Sequence, residues 1–256
     1  MKRSSSLLFL LILSGCSSEA PAPSRRGDPV ERAAGERAFL EGDYEAAAER
    51  FSLAAEAGDR EAGVWQARAL MKLEEWQAAE RAFRSGLALP GEPGVQARFG
   101  LGECLLAQGR PDEAAKFLKD LAADPAGMEA LEPPAVLYKA AVAELRCGEW
   151  EEAAKRLRQV SRGWPDSSWA VLAQERLGDV EARRFCIQQG AYAQAAAAEK
   201  RIADLRSAGI LAVKVPIRRA GSDLFAIREG AFSSYREAMA ETVRLKGLGE
   251  DGVVVP

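Results

Sequence analysis

The apolar positions in the front half of the chain recur in a helical pattern. Four times, a turn rich in Gly, Asp and Glu precedes an alanine and, four residues later, a large apolar residue. The alanines are Ala47, Ala79, Ala114 and Ala153, and the apolar residues are Phe51, Phe83, Leu118 and Leu157. A spacing of four places both on one helical face, and the turn ends one helix and starts the next. The pattern predicts four helical hairpins in series.

Small residues also stand earlier in each hairpin, where its two helices should cross: Gly35, Ala67, Gly102 and Ala141. With a period of about 34 residues, this pattern resembles the tetratricopeptide repeat. The resemblance implies a helical solenoid over residues 28–182. The extra length around residues 132–134 (EPP) predicts a loop extension before the fourth hairpin, and residues 167–181 predict a helix that caps the stack.

In this family the first helix of each hairpin lines a concave surface. The resemblance therefore implies a groove for a peptide or partner helix. The residues that the register places in this groove include Phe39, Arg68, Met71, Phe99, Glu103, Tyr138 and Val142. The alternative is that these side chains pack between neighbouring repeats.

The last part of the chain repeats itself with a period of 40 residues. Residues 185–192 (FCIQQGAY) align with residues 225–232 (FAIREGAF). In each unit, alternating apolar residues predict a strand, an alanine-rich segment with an apolar stripe predicts a helix, and valines before a proline predict a second strand. Two such units predict a four-stranded sheet with two helices on one face, the ferredoxin-like βαββαβ arrangement. The chain as a whole is predicted to be α+β, an all-α solenoid followed by this domain.

Residues 183–256 resemble the SPOR domain of bacterial envelope proteins. The resemblance implies binding to peptidoglycan, with a preference for glycan strands stripped of their stem peptides. The glutamine and arginine of the family motif correspond to Gln188 and Arg228. By alternation both should point away from Ile187 and Ile227, which pack on the helices. An amide suits sugar hydroxyls, and a guanidinium suits the lactyl carboxylates of muramic acid.

Three further residues are candidates for the same ligand site. Tyr192 and Phe232 end the two inner strands and are placed to stack on sugar rings, with packing in the core as the alternative. Cys186 is expected on the open sheet face beside Gln188.

Two features depart from the family pattern. Gln189 and Glu229 stand where apolar residues are usual. By alternation both should face the helices, so we expect them either at the sheet edge or turned outward by a bulge. Ala191 and Ala231 replace the usual Ser or Pro. These departures leave open a SPOR fold that has lost its ligand.

Residues 1–15 combine two basic residues, an unbroken apolar run and small residues, in that order. The run suits the core of a signal peptide and is too short to span a bilayer. With Cys16 it resembles the bacterial lipobox, which implies cleavage before Cys16, lipidation of that cysteine and, with Ser17 following, an outer-membrane location facing the periplasm. The alternative is an ordinary signal peptide and a chance cysteine. Residues 16–27 are polar and contain prolines, and they predict a flexible tether.

Composition narrows the chemistry. The chain has no histidine, which excludes histidine triads, imidazole bases and most zinc sites. Residues 183–256 hold 12 basic and 8 acidic residues, whereas the whole chain has a net charge of −3. A basic domain suits an anionic glycan. Nucleic acid is not the expected ligand, because the signal peptide directs the chain out of the cytoplasm.

Cys104 and Cys147 are predicted to pack as small buried residues, with a disulfide as the alternative. No carboxylate pair is singled out, so we expect no enzyme, cofactor or metal.

These features predict a lipid-anchored scaffold that binds peptidoglycan glycan strands through one module and an unidentified envelope protein through the other, in wall remodelling or division. One alternative is an assembly lipoprotein whose SPOR domain is only a passive wall tether. A second is a catalytic carboxylate site between the modules. Because no Gly/Ser/Pro-rich linker precedes Phe185, we also expect the two modules to keep a restricted orientation.

Overall fold

The computed structural model describes residues 29–180, 183–219 and 221–255. The predicted signal peptide, lipidated Cys16 and tether lie outside these residues. The described residues up to 180 form ten helices: α1 (Pro29–Glu41), α2 (Tyr44–Glu56), α3 (Ala62–Lys72), α4 (Trp76–Gly86), α5 (Glu92–Ala107), α6 (Pro111–Ala122), α7 (Pro125–Glu129), α8 (Pro133–Cys147), α9 (Trp150–Gly163) and α10 (Ser168–Val180).

The helices pair as the sequence predicts. The hairpins are α1–α2, α3–α4, α5–α6 and α8–α9, and α10 packs on α9 and α8 as the predicted cap. The short helix α7 occupies the extension before the fourth hairpin. Local chemistry sets the turns: the Asp43 carboxylate accepts a hydrogen bond from the Ala46 N–H at 3.0 Å, and Gly148 ends α8 with a φ of 80°.

Two of the four predicted crossings show why a small residue stands there. A Cβ atom on Gly35 would lie 2.8 Å from the ring of Phe51, and one on Gly102 would lie 2.6 Å from Leu118. Both apolar side chains are fully buried. The glycine therefore leaves room for the large apolar side chain that follows the repeat alanine by four residues. This is the contact that the sequence pattern predicts.

Gly100 is a further close-contact position, which the repeat pattern did not identify, and its substitution tests the packing of the helices. Gly100→Ala is expected to lower the free energy of unfolding by about 1–2 kcal/mol, because its Cβ would lie 2.2 Å from Phe83 and overpacking outweighs the gain in helix propensity. Gly63→Ala is the matched control and should stabilise slightly, since its nearest contact is Ser85 Oγ at 3.7 Å. Urea unfolding measures both. Equal stability of the two variants would contradict this packing.

The remaining elements form the predicted ferredoxin-like domain. They are β1 (Phe185–Tyr192), α11 (Ala195–Ser207), β2 (Ala212–Arg219), β3 (Ser222–Phe232), α12 (Tyr235–Gly247) and β4 (Val253–Val255). The strand order is β2-β3-β1-β4, and every neighbouring pair is antiparallel. Ile187 and Ile227 are fully buried in the cluster that also contains Leu205 of α11 and Leu245 of α12. Both helices therefore cover one face of the sheet.

A bulge interrupts each inner strand. Gln188 pairs with Arg228 but Gly190 pairs with Ile227, so β1 carries one extra residue there. In β3 the extra residue falls between Glu229 and Phe232. Each bulge reverses the alternation of side chains beyond it.

The bulge in β3 explains the glycine of its repeated motif. Gly230 has a φ of 72°. The ring of Phe232 lies where a Cβ on Gly230 would be, only 2.3 Å from that position. A side chain at residue 230 would therefore displace this ring as well as strain the backbone.

Aromatic contacts join the two modules. The rings of Trp150 and Phe185 lie 5.1 Å apart, and the Arg146 guanidinium lies 5.2 Å from the centre of the Tyr235 ring. Trp150 packs against the hydrophobic cores of both modules. These contacts support the expected restricted orientation.

Candidate functional site

The structure brings Gln188 and Arg228 together at the centre of the sheet. They are direct cross-strand partners of β1 and β3, and cross-strand partners project from the same face. Their neighbours Ile187 and Ile227 project into the core beneath the helices. The pair therefore lies on the face that α11 and α12 leave uncovered, as alternation predicts.

Two valines extend this pair into a row across the sheet. Val213 of β2 pairs with Arg228, and Val253 of β4 pairs with Gln188. The two valines are 62% and 67% exposed. The 40-residue period relates Gln188 to Arg228 and Val213 to Val253, so the row is symmetric about its centre. The duplication was the signal that could have identified the valines as site residues.

The row combines apolar and polar groups suited to a sugar polymer. The Oε1 atom of Gln188 is buried and accepts no hydrogen bond from any described residue. Gln188 as a whole is half-buried, and its amide N–H group can donate to a hydroxyl of a ligand. Arg228 beside it presents a planar donor that matches a carboxylate.

A cleft of about 650 Å³ adjoins the row at Arg228. One wall comes from the repeat module, through Tyr138 of α8 and the exposed side of α10. The other comes from β2, the β2–β3 turn and Arg228. Its described charged lining residues are Glu175, Arg176, Arg218, Arg219 and Arg228. Glu175 and Arg176 balance each other on the repeat wall, so the excess of positive charge comes from the SPOR wall, where Arg218 also pairs with Asp223 at 3.9 Å.

Tyr192 and Phe232 do not reach this face. Both pack against the core on the helix side of the sheet, and Phe232 pairs with the buried Phe185. The bulges cause this placement, because each shifts the alternation between the central pair and the aromatic residue. The expectation of sugar stacking by these rings is corrected to core packing.

Cys186 is also removed from the candidate site. It lies on the expected strand, opposite Val255 of β4, but only 8% of it is exposed. A thiol this deeply buried does not present itself to a polymer on the open face.

Gln189 and Glu229 face the helices and are buried, so neither is turned outward. Gln189 Oε1 accepts a hydrogen bond from Arg201 Nη2 of α11 at 3.4 Å, and Arg201 also pairs with Glu250. Burial, reinforced by the carboxylate of Glu241, raises the pKa of Glu229. These polar residues are accommodated inside the fold.

Glu229→Gln is expected to stabilise the domain at pH 7. A folded-state pKa above the unfolded value means that the cost of ionising Glu229 is absent at low pH and appears as the pH rises from the unfolded to the folded pKa. The glutamine variant should lose this fall in stability. Thermal unfolding at pH 4 and pH 7 measures it. A loss of stability between these pH values that is as large in the variant as in the parent, or larger, would contradict the assignment.

The predicted groove residues fall into three groups. Phe39, Met71, Phe99 and Val142 are half-buried against their neighbours. The Arg68 guanidinium lies 4.4 Å from the centre of the Trp65 ring and 5.8 Å from that of Phe39. This cluster is the part of the groove that keeps both aromatic and cationic character, and Trp65 was missed by the sequence analysis.

Glu103 and Tyr138 are engaged within the fold. Glu103 forms an ion pair with Lys139 at 2.7 Å. Tyr138 is 8% exposed, packs on Trp169 at 5.4 Å between ring centres and lines the cleft between the modules. Tyr138 is therefore a residue of this cleft, which corrects its assignment to a separate partner groove.

Cys104 and Cys147 are free thiols. Burial raises the pKa of each to about 12, so both stay protonated at neutral pH and are poor nucleophiles. Within residues 29–180, 183–219 and 221–255, no group of three or more potential ligands could hold a metal ion. No helix in the same ranges is long and apolar enough to cross a bilayer.

Comparisons with known proteins agree with these two modules. Tetratricopeptide repeat models match residues 66–127 and 135–167, and a SPOR domain model matches residues 181–256. The solved structure of MamA covers 60% of this chain and 80% of its own, with 14% identity and a TM-score of 0.51. The MamA RS-1 ArsTM double mutant covers 60% and 83%, with 20% identity and a TM-score of 0.52. No curated protein matches. Family models thus show tetratricopeptide repeats within residues 66–167 and a C-terminal SPOR domain at residues 181–256.

Proposed function

We propose that this protein is a lipid-anchored scaffold that binds denuded peptidoglycan strands through its SPOR domain and an envelope protein through its repeats. The SPOR domain indicates peptidoglycan binding in the cell envelope, and the repeats indicate a protein partner. Both are non-catalytic binding modules. The role in wall remodelling or division, and attachment to the outer membrane through Cys16, belong to the proposal.

The pairing of Gln188 with Arg228 on the open sheet face is the observation that carries the proposal. A denuded strand offers hydroxyls, acetamido groups and lactyl carboxylates at regular intervals. An amide and a guanidinium side by side can bind a hydroxyl and a carboxylate of the same sugar unit. Stem peptides would occupy those carboxylates in amide bonds, and this favours strands from which they have been removed.

The charged groups near the row favour binding of a glycan strand over cleavage of its glycosidic bonds. Among the described lining residues of the cleft, Glu175 is the one carboxylate. Hydrolysis of a glycosidic bond generally requires two carboxyl groups on either side of that bond. Purified protein should therefore release no sugar from sacculi.

The cluster of Phe39, Trp65 and Arg68 supports a partner site on the repeats. It combines two half-buried rings with a cation that contacts both of them. Aromatic residues and arginine are the side chains most enriched where proteins bind each other tightly.

Co-sedimentation with sacculi tests the wall-binding part. Full-length protein in mild detergent is mixed with sacculi that have, or have not, been treated with an amidase that removes stem peptides. We expect retention to rise several-fold after treatment. Equal failure to sediment with both preparations would refute peptidoglycan binding, and equal retention on both would refute the preference for denuded strands.

A further inference from the structure

The guanidinium of Arg68 lies in an aromatic pocket on the first helices of the repeats. It lies 4.4 Å from the centre of the Trp65 ring and 5.8 Å from that of the Phe39 ring, and the two rings are 6.0 Å apart. All three side chains are half-buried. The pocket therefore holds a cation that is partly removed from water but still reaches the surface.

Arg68 lacks the carboxylate partners that Arg32 of the nearby helix α1 has. Arg32 forms ion pairs with three carboxylates. Burial acts to lower the pKa of Arg32, but its hydrogen bonds to those carboxylates raise that pKa above the ordinary value. Among the described residues, no carboxylate lies within ion-pair distance of the Arg68 guanidinium. Burial lowers the pKa of Arg68, and the more distant Glu92 offsets this only in part. The cost of desolvating Arg68 is thus incompletely compensated within the fold.

A single carboxylate is the group that fits this pocket. The planar guanidinium can donate to both oxygens of one carboxylate while its face stays against an aromatic ring. A multiply charged group would be repelled by Glu92. A long acidic segment is also disfavoured, because residues 29–180 contain 27 acidic and 19 basic residues.

The surface continues on both sides of the pocket. On one side the Phe39 ring of α1 contacts Trp65 of α3, and on the other α3 packs on α5. The half-buried side chains of Met71 and Phe99 keep the surface apolar toward α5. A bound segment can therefore run past Arg68 in both directions, and this favours an internal acidic side chain over a chain terminus.

We propose that Arg68 binds the side-chain carboxylate of one Asp or Glu within an extended partner segment, whose apolar neighbours pack against Phe39 and Trp65. The inference rests on the proposed role of the repeats as a partner site. It states the chemistry of that partner, which is a mainly apolar segment with a single acidic residue at its centre.

Selection of random peptides on immobilised full-length protein tests this chemistry. The peptides are displayed with their C-termini fused to a phage coat protein, so that only a side chain can supply a carboxylate. We expect the enriched peptides to share one Asp or Glu flanked by apolar residues. A synthetic copy in which the corresponding amide replaces that acidic residue should bind about 10- to 100-fold more weakly.

Arg68→Met identifies the receptor group. Methionine keeps an apolar side chain against the rings but removes the guanidinium, so the variant should bind the acidic peptide and its amide copy equally weakly. Arg37→Ala removes the same charge from an exposed position on α1 and should bind as the parent does. If Arg68→Met still prefers the acidic peptide, Arg68 does not bind the carboxylate and the inference fails.

The outcomes separate this inference from the proposed function. Enriched peptides that lack an acidic residue would overturn the inference and leave a partner site on the repeats. If no peptide is enriched, the partner site and the inference both fail. Binding of the SPOR domain to sacculi is measured separately and depends on neither result.

Discussion

Arg228→Ala is expected to weaken binding to denuded glycan strands by about 10- to 100-fold, since a hydrogen bond to a charged group contributes about 1.5–3 kcal/mol. Arg228 stands in the central row of the sheet and also lines the cleft. The substitution removes the guanidinium from the central row and from the cleft, and it leaves Gln188 without its charged neighbour. Isothermal titration with soluble strands measures the change.

The control is Arg206→Ala. Arg206 is an exposed arginine of α11, on the helix side of the sheet, and its removal lowers the net charge by the same amount. We expect its affinity to stay within about twofold of the parent, because exposed charges away from the ligand act only through a screened field. Equal losses in the two variants would mean that overall charge, and not the central pair, binds the glycan.

Trp150→Ala is expected to loosen the two modules from each other. Trp150 packs against both hydrophobic cores, and its ring contacts Phe185 at the start of β1. Truncation of a large aromatic side chain in a core costs about 3–5 kcal/mol, and a half-buried one costs less. Here part of that cost falls on the interface. We expect calorimetry to show two separate unfolding transitions and small-angle scattering to show a wider distribution of distances between the lobes.

Trp164→Ala provides the matched control. Trp164 packs against the core of the repeat module and not against that of the SPOR domain. It should lower the stability of the repeats without widening the scattering profile. If Trp150→Ala leaves the profile as compact as Trp164→Ala does, the contact with Phe185 does not hold the modules together.

The sequence predicts the repeat module well because its signal is local. Each repeat alanine and the apolar residue four positions later belong to one helix, and the small residue that crosses them lies in the same hairpin. The contact between Gly35 and Phe51 spans only sixteen positions of the chain. Such short-range pairs appear directly in the periodicity.

The sheet shows where sequence reasoning fails. Alternation placed Gln188 and Arg228 correctly because both lie before the bulge of their own strand. Without a bulge, the same alternation would place Tyr192 and Phe232 on the open face of the sheet, together with Gln188 and Arg228. A single extra residue in each strand reversed the result. The motif glycines at 190 and 230 were one hint, because glycine in a strand often marks a bulge. The polar residues Gln189 and Glu229 at usually apolar positions were another.

The cleft had no signal of its own in the sequence. Arg176 and Arg228 belong to different modules, and their placement on one cleft depends on how Trp150 and Arg146 dock on the SPOR domain. The charge pattern identified a basic C-terminal domain, but it could not show that an arginine from the repeats joins it.

Hydrogen–deuterium exchange of the full-length protein, with and without soluble denuded strands, tests the central claim most directly, because it shows where the glycan binds. We expect slower exchange in β1 and β3 around Gln188 and Arg228, with helices α1 to α4 unchanged. Slower exchange confined to α11 and α12, on the covered side of the sheet, or no change in β1 and β3 under conditions where the strands bind, would contradict it.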